Sequence, residues 1–577
     1  MKKRTYIWLV IGFFVLLLVV GLAALVISEL ARPSVSVPAR AYLDVNLSGP
    51  VEEVAPPDFI YAYFFNYKPL SLHDLYENLR KAGADPRIRS VLLRLNLLGC
   101  DWAKVEEMRA AISGFRATGK KVYAYIDEAP DFDKEYYLAT ACDRIILHPL
   151  GWLGVNGLSG YFPFLKTALD KLGVRAEFEH VEEYKTAANM FTEKGFTPAH
   201  REETEAIYKD IFAAYVRGAA EARHLSEAEF RRLIDRGFFQ GDEAKQAGLV
   251  DDCLYEDELQ TLMAGGGQTL KRMKFDDYTR VRPESLGLET GPKVALVYAT
   301  GTIMTGESLP QVLGSSTLSR WLKNARGDAS IKAVVLRIDS PGGSSVGSDI
   351  IWREVELTRR VKPVIVSMSD LAGSGGYWIA MPATKIVARP QTLTGSIGVL
   401  AGKFSLKGLM DKLGITTETL SFGEKADIFS PFKPFTEAEK KALKEQILWI
   451  YDRFVEKAAE GRHLSKEEVD RVGRGRVWTG RQAAEIGLVD GLGGLKEALE
   501  LAKKEAGIPS GEDVRLEVWP KRQTLWQMLT SRRQTIIRSP ASAPFRTALE
   551  TLRAMDRTRT WAIMPFFWSP ELSPSVQ

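Results

Sequence analysis

Cysteine is scarce in this chain: Cys100, Cys142 and Cys253 are the whole complement. None stands in a CxxC pair, so neither a zinc site nor a thioredoxin-like redox motif is supported. An odd, sparse set builds no disulfide framework, and all three read as structural. Histidine is limited to six residues. An excess of one charge is also missing. The 77 basic and 73 acidic side chains leave a net charge of +4, which offers no clustered basic face for nucleic acid. Long uncharged runs free of proline are absent with one exception, Thr5 to Ser28, which follows Lys2, Lys3 and Arg4.

That exception is long enough to span a bilayer, which takes about 20 apolar residues. The three leading cations place its start in the cytoplasm. The run exceeds the apolar core of a cleaved signal peptide and no small-x-small site follows it, so an uncleaved signal-anchor over residues 1–32 is expected, with residues 5–28 in the lipid bilayer. A cleaved signal peptide is the alternative.

What the chain does contain is itself, twice. Leu165-Lys166 and Asp170-Lys171-Leu172-Gly173 recur as Leu406-Lys407 and Asp411-Lys412-Leu413-Gly414, 241 positions on. At the same spacing Tyr136, Ile145, Pro149, Gly154 and Gly157 meet Tyr377, Ile386, Pro390, Gly395 and Gly398. Arg223-His224-Leu225-Ser226 returns as Arg462-His463-Leu464-Ser465, and Gly248-Leu249-Val250-Asp251 as Gly487-Leu488-Val489-Asp490. A period this long is a duplicated domain, since solenoid units repeat every 20–50 residues or so. Short β-rich runs (Val91–Leu95, Val334–Ile338, Val364–Met368, Lys385–Ala388) alternate with helical patterns such as Leu72, Leu75 and Leu79. Such alternation predicts βα units around largely parallel sheets.

The copies differ where chemistry is expected. The second holds Asp339-Ser340-Pro341-Gly342-Gly343-Ser344 after a predicted strand, then Ala372-Gly373-Ser374-Gly375-Gly376-Tyr377-Trp378. Glycines at a strand-to-helix turn let backbone N–H groups approach a ligand and stabilise a developing oxyanion. Ser374, among small neighbours, is a candidate nucleophile; a Gly-rich turn with an incidental serine is the bland reading. In the first copy Asp133 stands at the place of Ser374, Lys134-Glu135 at that of Gly375-Gly376, and Gly99-Cys100 at that of Gly342-Gly343. A serine needs a base. His224 and His463 belong to the duplicated motif and read as fold residues, while His73, His148, His180 and His200 lie in the copy without the serine. A Ser-His-Asp triad therefore stays open only as a minor alternative. Lysine serves as a base if burial lowers its pKa from about 10.4. Lys185, in Tyr184-Lys185-Thr186, faces Ala426 in the other copy, one position from the decoy Lys425. Serine and lysine are thus lost reciprocally. Glu182 and Glu183 beside Lys185 count against it, because nearby carboxylates favour the charged amine.

Ser340-Pro-Gly-Gly-Ser344, Ala372-Gly-Ser-Gly-Gly-Tyr-Trp378, Leu393-Thr-Gly-Ser-Ile-Gly398 and Tyr184-Lys185 together resemble the long, duplicated form of bacterial signal peptide peptidase A, also called protease IV. The resemblance spans about residues 40 to 506 and the anchor. It implies an α/β fold of two tandem Clp protease/crotonase-like domains and a dome-shaped homo-tetramer without cofactor or metal. It also implies Ser374 as nucleophile, Lys185 as general base, Ser396 orienting the lysine, and the N–H groups of Gly343 and Gly375 as oxyanion hole. The expected division is an anchor over 1–32, a lysine-bearing S49-like domain over 40–263, a linker over 264–291, a serine-bearing S49-like domain over 292–515, and a tail over 516–577. The expected activity is endopeptidase cleavage of signal-peptide remnants and other apolar segments. The location implied is the bacterial inner membrane, with the domains on its extracytoplasmic side. A crotonase-like acyl-transfer enzyme and a non-catalytic membrane scaffold of the same fold are the rival readings.

Overall fold

The computed structural model describes residues 35–54, 69–129, 131–521 and 561–563. Each copy builds its own sheet. In the first, strands Lys271–Lys274, Ala41–Glu52, Ile88–Gly99, Lys121–Ile126, Arg144–Leu147 and Asp252–Cys253 lie side by side and all run parallel. In the second the order is Val477–Thr479, Leu393–Gly395, Val364–Gly373, Ile331–Ser340, Lys293–Thr300 and Arg515–Trp519. Only Val477–Thr479 is antiparallel to its neighbour on that path. Helices cover both faces, which is why strands such as Val334–Ile338, apolar but for Arg337, show no alternation and are fully buried.

The duplicated motifs serve the fold. His463 is the left-handed C-cap of helix Glu437–Arg462, and His224 takes the same positive φ after helix Pro198–Ala222. Ser226 and Ser465 then cap the next helices, each completing a capping box with a glutamate. Tyr136 and Tyr377 donate equivalent buried hydrogen bonds to the carbonyls of Leu249 and Leu488.

Two boundaries differ from expectation. The stretch 264–291 is not simply a linker, because Lys271–Lys274 adds an edge strand to the first sheet and Tyr278 is buried beneath it. Its sequence, Lys-Arg-Met-Lys, buries Met273 alone, so it carries almost no apolar signal. The second sheet likewise ends with Arg515–Trp519, past the expected limit of residue 515. Within the expected tail, Trp561–Ile563 forms a strand between Gly342–Ser344 and Leu400, antiparallel to both. The anchor, residues 5–28, lies outside the described residues; among these no helix is long and apolar enough to cross a membrane.

The two units join through buried charge. Arg337, on the strand leading to Ser340, bonds Glu53 at 2.9 Å and Glu107 at 3.2 Å, both from the first unit. Glu107 also accepts from Arg389 and from the N–H of Leu495. Asp370, four residues before Ser374, accepts the N–H groups of Asp101 and Lys104, and the Lys104 amine pairs with Asp339 at 2.8 Å. These bonds fix both motif-bearing strands against the first unit. Removing one member of such a network strands the others: Arg337→Ala is expected to cost about 3–5 kcal/mol, seen as a lowered thermal unfolding midpoint of the purified chain.

Candidate active site

Ser374 ends the strand Val364–Gly373 and precedes the helix Gly375–Ala380. Its backbone is held at φ 54° and ψ −113°, a conformation that L-residues rarely adopt. Two bonds enforce it: its N–H donates to the carbonyl of Gly395 at 2.7 Å, and its carbonyl accepts from Trp378 at 2.8 Å. The neighbouring glycines are required by close approach. A Cβ on Gly375 would lie 3.1 Å from the nitrogen of Gly343, and one on Gly376 would lie 2.6 Å from the carbonyl oxygen of Ser340. The two motifs are therefore in contact, with the backbone nitrogens of Gly343 and Gly375 beside the serine turn.

Lys185 arrives from the first copy. Its Nζ is 2.7 Å from Oγ of Ser374, 3.0 Å from Oγ of Ser396 and 3.0 Å from the carbonyl oxygen of Ser396. Lys185, Ser374 and Ser396 are all wholly buried. Burial holds the amine well below the ordinary lysine range, opposed only by the charge of Glu203. A neutral amine has two N–H donors and one lone pair, and this site offers three matching partners. In that form the lone pair can accept from the hydroxyl of Ser374, while the N–H groups can donate to the two oxygens of Ser396. The hydroxyl of Ser396 in turn donates to the carbonyl of Gly475 at 3.2 Å. This arrangement suits proton abstraction from a serine hydroxyl. Among the described residues no group of three His, Cys, Asp or Glu side chains is arranged to hold a metal ion.

Peptidase family S49 matches the sequence twice, over residues 114–269 and 356–509. The chain belongs to peptidase family S49. It is thereby a serine-type peptidase, a hydrolase. Its S49 relatives include the chloroplastic serine protease SPPA of Arabidopsis thaliana, 34% identical over 78% of this chain and 67% of that protein. Protease 4 of Haemophilus influenzae is 34% identical over 76% of this chain and 73% of that protein. Among solved structures it resembles ClpP1 from Listeria monocytogenes, with 16% identity, a TM-score of 0.23, and 35% of this chain and 94% of that chain covered.

The first S49 segment has filled the corresponding place. Asp133 is buried and accepts the N–H groups of Asn156 and Gly157 at 3.0 Å. Burial pushes its carboxyl up to about 6. Glu135 accepts the N–H of Leu98, and the amine of Lys134 donates to the carbonyls of Leu98 and Cys100. Side chains thus occupy backbone groups of Leu98 and Cys100, at the places of Pro341 and Gly343. Lys425 and Ala426 are exposed, away from Ser374. Among the described residues, no histidine contacts Ser374 or Lys185. His200 is buried and burial lowers it to about 4.

Two features escaped the sequence reading. Glu182 and Glu183 are exposed, and the carboxyl that acts on Lys185 is Glu203. Its place on the same helix face as Ile207, one turn away, is the periodic signal that marks it as buried. The segment Gly475–Val477, packed directly on Lys185, carries no motif beyond a glycine.

Proposed function

We propose that this S49 peptidase is a membrane-anchored serine endopeptidase with a Ser-Lys dyad, degrading cleaved signal peptides and other apolar peptide segments. The separation of 2.7 Å between Lys185 Nζ and Ser374 Oγ carries the reading. Neutral Lys185 takes the proton of Ser374 as Oγ attacks the peptide carbonyl, forming a C–O bond and a tetrahedral oxyanion. The N–H groups of Gly343 and Gly375 stabilise that oxyanion. The ammonium of Lys185 protonates the leaving amine as the C–N bond breaks. Water, deprotonated by the same amine, then releases the acyl group and restores Ser374. Ser396 keeps the amine aimed by accepting from it.

The chain's own Trp561–Ile563 supports an extended substrate, since its backbone pairs with Gly342–Ser344 in antiparallel register. A substrate segment takes the same edge in place of Trp561–Ile563, as a strand beside the oxyanion glycines. Apolar side chains at that edge, Met304, Leu400, Ala187 and Phe178, suit an apolar segment. The run Thr5–Ser28 behind three cations supports the anchor, with the domains on the extracytoplasmic side of the inner membrane. The segment after helix Lys407–Leu413 leaves Leu420 and Phe422 more than nine-tenths exposed, which favours burial against a second copy in a homo-tetramer.

The test is hydrolysis of a fluorogenic apolar peptide by the full chain in detergent, with fluorophosphonate labelling alongside. Lys425→Ala should keep wild-type kcat/KM, and the probe should label wild type but not Ser374→Ala. Activity lost in Lys425→Ala yet kept in Lys185→Ala would reassign the base; active protein that never labels at Ser374 would point to the acyl-transfer reading.

A further inference from the structure

Glu203 has a place that the dyad alone does not explain. It projects from helix Pro198–Ala222 of the first unit and is only 1% exposed. Its Oε2 accepts the N–H of Val477 at 2.7 Å. The carbonyl of Arg476, on the other side of the same peptide unit, accepts the N–H of Ser396 at 2.7 Å. A trans peptide points its C=O and N–H in opposite directions. One peptide unit therefore links Glu203 to Ser396, across the edge strand of the second sheet. The residue before it, Gly475, packs so closely that a Cβ there would collide with the backbone of Lys185. Glu203 thus braces, from behind, the segment that seats both Ser396 and Lys185. A neutral amide would make the same bond to Val477, so this contact alone does not call for a carboxyl. Its second oxygen, Oε1, is buried and without a hydrogen-bond partner.

We infer that Glu203 is a positioning residue for Lys185, which holds the Arg476–Val477 peptide unit in place and whose charge acts on that of the amine. This rests on Lys185 being the base. The charged groups around Glu203 are Arg476 at the facing strand, Lys185, and Glu202 on its own helix; His200, one turn earlier, stays neutral above about 4. Around Lys185 the charged neighbour is Glu203, the two serines being neutral. Burial pushes Glu203 up to about 8, against the pull of the Val477 N–H, Arg476 and Lys185. Two buried groups that affect one another titrate as a pair. With one proton left, the pair is either Glu203-COOH with a neutral, competent amine, or Glu203 carboxylate with an ammonium that cannot act as base. The competent form becomes complete only as the second proton leaves, so the carboxyl spreads the acid limb of the pH profile upward.

The experiment is the pH dependence of kcat/KM on an apolar reporter peptide, using full-length wild type, Glu203→Gln and Glu203→Ala. Glu203→Gln keeps an acceptor for Val477 and removes the second titration. Its acid limb should become a single-proton step with its midpoint about one unit lower, within the shift that one nearby charge produces. Glu203→Ala should show the same shift and also a fall in kcat of about tenfold with little change in KM, as expected when positioning is lost. A Glu203→Gln limb that superimposes on wild type overturns the proposal, and so does equal loss of rate in both variants without a shift; Glu203→Gln decides the matter even if Glu203→Ala does not fold. Activity that survives Ser374→Ala overturns the underlying dyad instead.

Discussion

Ser374→Ala should lower kcat on an apolar reporter peptide by about 10⁴-fold or more, the scale on which serine peptidases lose rate when the nucleophile is removed. Binding should survive, because the proposed substrate edge at Gly342–Ser344 pairs through its backbone, to which the hydroxyl of Ser374 does not belong. An inhibition constant for a non-cleavable apolar peptide should therefore stay within a few-fold of wild type. The fold should survive as well. The strained backbone of Ser374 is held by bonds from its N–H and carbonyl, neither of which alanine removes. A variant that keeps more than a hundredth of wild-type kcat would mean that the serine is a bystander in the turn.

Lys185→Ala should lose activity on the same scale, and Lys185→Met allows a second, opposite effect to be seen. An amine that acts as the base must be neutral to work, so kcat/KM of wild type falls as pH drops through its depressed pKa. The same depression bears on stability. The unfolded chain binds a proton at this lysine up to about pH 10.4, whereas the folded chain binds it only at lower pH, so folding is opposed across that interval and stability rises with pH through it. Lys185→Met fills a similar volume without a group to desolvate. It should be inactive yet have a higher unfolding midpoint than wild type at neutral pH, with the gap widening as pH falls until the folded protein also protonates the amine. An inactive variant with an unchanged or lower midpoint would show that the buried amine carries no such cost.

Much of this was legible because the chain holds two copies for comparison. Subtracting one from the other set Ser374 against Asp133 and Lys185 against Ala426, and the structure brings Ser374, Lys185 and Ser396 within hydrogen-bond distance of one another. Buried parallel strands were visible as apolar runs for the same physical reason that they are buried. What stayed hidden has little local signal. Lys271–Lys274 is an edge strand with one inward residue, and Trp561–Ile563 pairs through backbone groups that any sequence supplies. Glu203 looks like one more charge in His-Arg-Glu-Glu-Thr-Glu until the helix face is drawn, and its partner is an N–H on a strand 274 residues away. Arg337 interrupts an apolar strand with nothing local to explain it, and only docking of the two units supplies Glu53 and Glu107.

The separation of Ser374 and Lys185 by 189 residues has a consequence for how the protein is made. A chain emerging from the ribosome presents its amine long before its hydroxyl, and either copy folded by itself has half of the reacting pair. The seam of Arg337, Glu53, Glu107 and Lys104 holds together the units that bring the two atoms within reach, so the proposed dyad belongs to the docked pair and to neither copy alone. An unfinished or misdocked chain would hold the proposed pair of Ser374 and Lys185 apart.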